Sequence, residues 1–307
     1  MMARPERQGD LFFWAVGDVP LRDDREALSL PLASLSKQKR TRPIEWRSQD
    51  GKRWVRVTAN ATHGMATIWD LDVILWCVSH LNEQVERGVE PGRTIRFHPH
   101  DLLRSIRRSA GGANYAELEA TLNRLKGTMI ETSARSASSR RNGAFGWIEQ
   151  WQHDVDTATG RSRSMEIVVS HWLYEGVVRH RDILAVAPAY FDIQSGLARW
   201  LYRLARRHAG KQPEGWRFTI RHLWERSGST QTFGGFARDL RGVIAANRLP
   251  EYRAELLTGQ RGDEVVWLVR DPMRVAVPQR RDLRAVSLAA PDPPPAQARR
   301  RGQKSAG

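Results

Sequence analysis

Residues 193–244 read IQSGLARWLYRLARRHAGKQPEGWRFTIRHLWERSGSTQTFGGFARDLRGVI, and the spacing within this stretch decides the fold. In LARWLYRLARRHAG the apolar Leu197, Trp200, Leu201 and Leu204 recur at helical spacing, with Arg199, Arg203, Arg206 and Arg207 around the other side. Phe218 leads into a short helix, Ile220–Ser227, which Thr219 can cap and in which Leu223 and Trp224 face inward. Gly228 and Ser229 make a turn, and Phe233, Phe236, Leu240, Val243 and Ile244 then form the inner face of a last helix. Residues 253–257 and 264–270 can pair across TGQRGD as a ribbon. Helix, helix, turn, helix and ribbon is winged helix-turn-helix order.

A similar order occurs earlier. Ile68, Leu71, Ile74, Leu75, Val78, Leu81 and Val85 mark a helix over 68–85, stopped by Gly88 and Pro91. A strand is expected at 94–97, then a helix entered at Pro99 with Leu102, Leu103 and Ile106 inward. Gly111 and Gly112 turn the chain, and Asn114 is read as the cap of YAELEATLNRLKG, whose Tyr115, Leu118, Leu122 and Leu125 share one face. The strand-like 129–132, the polar and basic loop SARSASSRRNGA, and strands near 145–152 and 165–169 are expected to form the ribbon of this unit. A hairpin over 42–59 precedes it, turning at Gln49-Asp50-Gly51, and a helix over 171–178 closes it. The expected fold class is α+β: tandem winged helix-turn-helix domains at 41–182 and 183–278. A flexible N-terminal arm, 1–40, would carry LFFWAV as an anchor. A disordered basic tail, 279–307, ends in PDPPPAQARRRGQKSAG.

The chain has 307 residues, with 49 Lys and Arg against 34 Asp and Glu, a formal net charge of +15. That balance points to a polyanionic partner, and the arginine bias suits phosphate and base edges. The single cysteine, Cys77, lies in the apolar run VILWCV and excludes a disulfide framework or a thiolate zinc cluster. LFFWAV is too short for a secretory signal and is flanked by Asp10 and Asp18, while Asp70 and Asp72 interrupt the most apolar region. A cytoplasmic protein with no membrane partner is expected. There is no GxxxxGK[ST] phosphate loop, no HExxH and no clustered histidine pair with a tyrosine nucleophile. His98 and His100 flank Pro99 at a helix entrance, where capping or solvent exposure explains them. The expectation is a non-enzyme without cofactor or metal.

In a helix-turn-helix the outward residues of the second helix meet base edges, and flanking cations hold phosphates. In the first unit the candidates are Asn114, Tyr115, Glu117, Thr121, Arg124 and Lys126 on the reading helix, with Arg104, Arg107 and Arg108 before it. Arg140 and Arg141 are candidates at the ribbon tip. In the second unit Ser229, Thr230, Gln231 and Thr232 stand at the mouth of the last helix, with Arg238 and Arg241 along it. Arg203, Arg206, Arg207, His208, Lys211 and Arg217 make a basic edge nearby.

The stretches GMATIWDLDVILWCVSHL, TIRFHPHDLLRSIRR, GGANYAELEATLNRLKGTMIETS, HWLYEGV, YFDIQSGLARWLYRLARRHAG, WRFTIRHLWERSGS and FGGFARDLRGVIAANRLPEY resemble the plasmid replication initiator protein A family, over roughly residues 40–255. WLYRLARRHAG is the most specific of them. The resemblance implies binding to repeated sites in double-stranded DNA at a plasmid origin, opening of adjacent A·T-rich DNA, and recruitment of the host initiator and replicative helicase. It also implies autorepression and dimerisation through the first domain, in its ribbon between Met129 and Val169. The alternative is a winged-helix transcriptional regulator with no initiation role. Two departures stand out: the polar segment 133–141, and the double glycine Gly234-Gly235 early in the last helix, which costs helicity.

Overall fold

The computed structural model describes residues 21–25, 27–133, 144–260 and 262–274. A short strand, β1 (Arg22–Asp24), precedes the hairpin of β2 (Ile44–Arg47) and β3 (Trp54–Thr58). The helix α1 (Leu71–Glu86) is entered through a reciprocal box. The Thr67 backbone N–H donates to the Asp70 carboxylate at 2.7 Å, and the Asp70 N–H donates to the Thr67 hydroxyl at 3.3 Å. This box sets the helix start at Leu71, three residues beyond Ile68, where the apolar period begins. There follow β4 (Thr94–Phe97), α2 (Pro99–Ser105), α3 (Gly112–Gly127), β5 (Met129–Thr132), β6 (Ala144–Phe145), β7 (Ile148–Val155) and β8 (Ser162–Val169). The helix α4 (His171–Tyr174) continues as a π-helical turn, Glu175–Arg179, and leads to β9 (Ile183–Ala185). After a 3-10 turn, Pro188–Asp192, come α5 (Gly196–His208), β10 (Trp216–Thr219), α6 (Ile220–Ser227), α7 (Phe233–Ala246), β11 (Tyr252–Thr258) and β12 (Glu264–Arg270).

Mixed helix and sheet are thus laid out twice in the same order. The series α1-β4-α2-α3-β7-β8 matches α5-β10-α6-α7-β11-β12, and the sheets run β4-β8-β7 and β10-β12-β11. In each repeat the strand after the first helix pairs antiparallel with the last strand, Ile95 opposite Ile167 and Phe218 opposite Val266. Alternate residues of these strands bury their side chains, as a sheet with one covered face requires.

Three expectations are corrected. The segment between Met129 and Val169 is not one ribbon. β5 joins β2, β3 and β6 in a separate four-stranded sheet, with Ile130 opposite Val57, while the hairpin beside α3 is β7-β8, closed over Asp156 to Arg161. A four-residue strand carries period-2 burial but no mark of its partner, so sequence proximity misassigned it. Asn114 does not cap α3: the helix starts at Gly112 and the Asn114 amide donates to Ser109 instead. The expected arm is also too long, since residues 27–34 are all buried and Leu28, Leu30 and Leu32 enter the core. LFFWAV, the loop with Arg140 and Arg141, and the tail 279–307 lie outside the described residues.

One hydrophobic core runs through both repeats, from Leu75 and Trp76 to Leu204 and Phe236. β1 pairs with β9 at the crossing between them. Arg199 of α5 donates to Asp72 of α1 at 2.6 Å, with both side chains almost fully buried, and Arg108 donates to the same carboxylate at 3.2 Å. Arg203 pairs with Asp23 at 2.8 Å, again buried. The guanidinium of Arg226 donates twice to the Ser29 carbonyl, at 3.0 and 2.8 Å, and Arg40 reaches the Gly228 carbonyl at 2.5 Å. A Cβ on Gly196 would stand 2.1 Å from the Leu35 carbonyl oxygen, so the first turn of α5 lies directly on the 34–36 backbone. Removing one member of a buried pair strands the other charge. Asp72→Ala is therefore expected to cost about 3–5 kcal/mol, read from urea unfolding; a loss below about 1 kcal/mol would show that Arg199 and Arg108 find other partners.

Candidate nucleic-acid interface

The helix α3 is held on two sides. Thr121 is buried and donates to Asp70 at 2.9 Å, and Arg124 grips the same carboxylate through two nitrogens, at 2.8 and 2.7 Å. Arg124 also reaches Glu117 at 2.7 Å, and its carboxylate partners, Asp70 first, raise its pKa. On the other flank the Trp151 ring N–H donates to Asn123 at 3.2 Å, and His153 meets Glu119 at 2.6 Å. Thr121 and Arg124 therefore fasten α3 to the start of α1 and do not face outward as expected. Tyr115 packs against the core. Asn114 is half-buried, while Glu117 and Lys126 are exposed.

Of Arg104, Arg107 and Arg108, Arg104 is exposed on α2. Arg107, held at φ 58°, pairs with Asp192. Arg108 donates to the Trp69 carbonyl at 2.8 Å as well as to Asp72. These two reach the second repeat and the core rather than a phosphate.

The basic edge of α5 is largely internal. Arg203 is buried against Asp23, and Arg206 donates to the Ala185 carbonyl at 2.5 Å and to the Tyr252 hydroxyl at 3.2 Å. Arg207 is half-buried. His208 packs between Trp216 and Phe218, with ring centroids at 5.3 Å from each. Burial, assisted by the charges of Arg226, Arg207, Arg53 and His222, lowers its pKa to about 3, so it is neutral at pH 7. The helical period placed these residues opposite the leucines. It could not show that the segment around 21–35 covers that side too. Lys211 and Arg217 are exposed, with Arg217 lying 5.9 Å from the Trp267 ring.

The turn at Gly228 and the start of α7 at Phe233 stand where the sequence spacing placed them. Thr232 caps the helix, accepting the Gly235 N–H at 3.3 Å, and Gly228 turns the chain at φ +65°. Thr230, Gln231 and Thr232 are exposed and Ser229 is half-buried. Gln231 donates to Asp239 at 2.7 Å, and Arg238 meets Asp239 at 3.1 Å with 78% of its side chain exposed. These hydrogen bonds, Gln231 first, hold the Asp239 carboxyl below its ordinary range. Arg241 pairs with Glu264 of β12 at 2.5 Å. Along this face Gly234 and Gly242 have nothing within 4 Å of a would-be Cβ, so neither glycine is demanded by packing inside the protein. Among the exposed cations that the sequence candidates did not include are Arg221, Arg248 and Lys37. Arg221 lies 4.3 Å from the Phe233 ring, Arg248 follows the left-handed cap Asn247, and Lys37 sits in the segment read as an arm. A basic residue just after a helix C-cap was the one signal available for Arg248.

Among the described residues no group of His, Cys, Asp and Glu could hold a metal ion, and no helix is long and apolar enough to cross a membrane. The family model described as Replication initiator protein A matches residues 22–254. A "Putative replication protein" of Wigglesworthia glossinidia brevipalpis is 31% identical over 193 residues, 62% of this chain and 69% of that protein. Among solved structures, the selenomethionine derivative of domains 2 and 3 of RctB aligns with a TM-score of 0.56 at 13% identity, covering 80% of this chain and 98% of that one. A second structure of RctB domains 2-3 gives 0.52 at 12% identity, covering 81% and 98%. At such identities the likeness is one of fold.

Two outcomes are expected from this geometry. Gly234→Ala and Gly242→Ala should each raise stability by about 0.5–1 kcal/mol, because alanine restricts the unfolded chain and meets no neighbour; a fall in the thermal midpoint would contradict the open space. His208 has a folded pKa below its unfolded 6.5, so its stabilising contribution is full above that value and lost as pH falls towards about 3. Asp23 and Asp72, each raised by burial to about 6, act oppositely, gaining stability as pH falls from 6 to 3.8. The informative quantity is therefore His208→Phe minus wild type. That difference should be flat above pH 6.5 and then favour the variant by about 1.4 kcal/mol per pH unit on acidification; parallel stability curves in urea would refute it.

Proposed function

Because the chain belongs to the replication initiator protein A family, we propose that it initiates plasmid replication by binding double-stranded DNA sequence-specifically at repeated sites in an origin. Each repeat of the fold is a winged helix-turn-helix, with α3 and α7 as the reading helices and the β7-β8 and β11-β12 hairpins as wings. Bound protein promotes opening of adjacent A·T-rich DNA and brings the host initiator and replicative helicase, which do the ATP-driven work. It self-associates as a dimer, represses its own gene and acts in the cytoplasm on the plasmid itself. It has no catalytic step of its own and needs no cofactor.

The observation that carries this reading is the mouth of α7. Short polar side chains and an extended arginine stand exposed at its first turns, and the glycines of its outer face cost helicity without serving internal packing. Such a face suits close approach to base edges. The net charge of +15 supplies salt-dependent affinity for any duplex. In the first repeat Lys126, Arg104 and Glu117 are exposed and Asn114 is half-buried, while Thr121 and Arg124 set the helix angle.

Footprinting on the DNA beside the gene is expected to show several protected repeats next to an A·T-rich stretch; one protected palindrome at the promoter alone would favour a regulator. Supercoiled origin DNA with Mg²⁺ should remain uncut. Gln231→Ala and Arg238→Ala should each relax the preference at one or two base positions by roughly 1–3 kcal/mol, measured by competition between the selected site and its point variants. Unchanged preference in both would remove the mouth of α7 from base reading.

A further inference from the structure

One flank of α7 is occupied by β12, where Arg241 meets Glu264. The other flank opens into a groove of about 1360 Å³. Its near wall is α7 at Arg238, Gly242 and Ala246; its far wall is the chain at 34–38 together with the first turn of α5. The near wall is low. Gly242 has no neighbour within 4 Å of a would-be Cβ, and Ala246 is exposed.

The charge of this groove is positive, and most of it is already committed. Arg40 donates to the carbonyls of Arg42, Pro43 and Gly228, and Arg274 to those of Asn247 and Tyr252. The two carboxylates of the lining are also engaged, Asp192 by Arg107 and Asp239 by Gln231 and Arg238. Lys37 and Arg248 remain, one on each wall. Both are exposed, and neither pairs with a carboxylate among the described residues. Lys37 is raised on the Trp69 ring, its ammonium 5.0 Å from the centroid.

We propose that this groove seats the sugar–phosphate backbone of one DNA strand, with Lys37 and Arg248 as its phosphate contacts. The proposal rests on the reading of α7 as a duplex-DNA helix. A helix lying in the major groove is bordered by two backbones, and contacts to them position the protein without reading sequence. The β11-β12 hairpin stands on one border of α7, and the groove lies on the other. The low wall at Gly242 and Ala246 lets the strand descend beside the helix, and the two facing cations meet it from both sides. The segment at 34–38, which the sequence placed in a free arm, thereby becomes part of the DNA surface.

The test uses the full chain, a duplex recovered from random sequence by binding-site selection with the wild type, and a random-sequence duplex of the same length. Each dissociation constant is measured over a range of salt. Lys37→Ala and Arg248→Ala are expected to weaken binding to both duplexes by the same factor. Each should flatten the slope of log affinity against log salt by about 0.9, the release belonging to one phosphate. Gly242→Gln, which places a side chain in the groove without meeting any protein atom at its Cβ, should weaken both while leaving the thermal midpoint unlowered. Wild-type salt slopes in both cation variants would overturn the groove while leaving the α7 reading intact, as would a loss confined to the selected duplex, which marks a base contact. Failure of the wild type to bind either duplex would overturn the α7 reading and the groove together.

Discussion

The buried guanidinium of Arg199 joins the two repeats of this structure. It donates to Asp72 at 2.6 Å, to the Ile193 carbonyl at 2.7 Å and to the Phe191 carbonyl at 2.9 Å, and its Cζ lies over the Tyr190 ring, 5.0 Å from the centroid. One side chain thus joins the first helix of the second repeat to the first helix of the first, and clamps the 3-10 turn between them. A lysine could not do this, because only a planar fork can meet a carboxylate and two carbonyls while stacking on a ring. Arg108 on the same carboxylate brings the end of α2 into the joint. Burial alone would push Asp72 towards neutrality, and the two arginines oppose it.

The same economy recurs wherever the repeats meet. Asp70, two residues before Asp72, fastens α3 through Thr121 and Arg124, so α3 and α5 are both tied to one turn at the start of α1. Arg203, Arg226 and Arg40 tie the chain at 23–40 to the second repeat. Much of the arginine that suggests a nucleic-acid partner is therefore spent on internal joints. Exposed cations such as Lys37, Arg248, Lys126 and Arg104 remain on the surface, and their position carries more meaning than the total.

Much of the fold is legible in the chain. The strand at Thr94–Phe97, the Thr219 cap, the helix at Ile220–Ser227 and the β11-β12 pair stand where spacing and turn chemistry place them. The candidate site is legible where it depends on local signals, at Ser229 to Thr232, and obscure where it depends on a neighbour. Arg203 and Arg206 lie opposite a leucine face and so read as solvent-facing. The partner that buries Arg203 is Asp23, 180 positions away, and no period within α5 announces it. Met129–Thr132 fails for the same reason: four alternating residues state which side is buried but not which strand lies alongside.

By itself the sequence determined the helices and strands, their repeated order and the polar mouth of α7, because these follow from periodicity, capping and turns within a few residues of each other. Only the tertiary structure decided which arginines are braces and which are free, that residues 27–34 belong to the core, and that a basic groove lies between α7 and the chain at 34–38. Those features arise from pairs distant along the chain. A buried charge is tolerable only opposite a partner, and the fold alone brings that partner within reach.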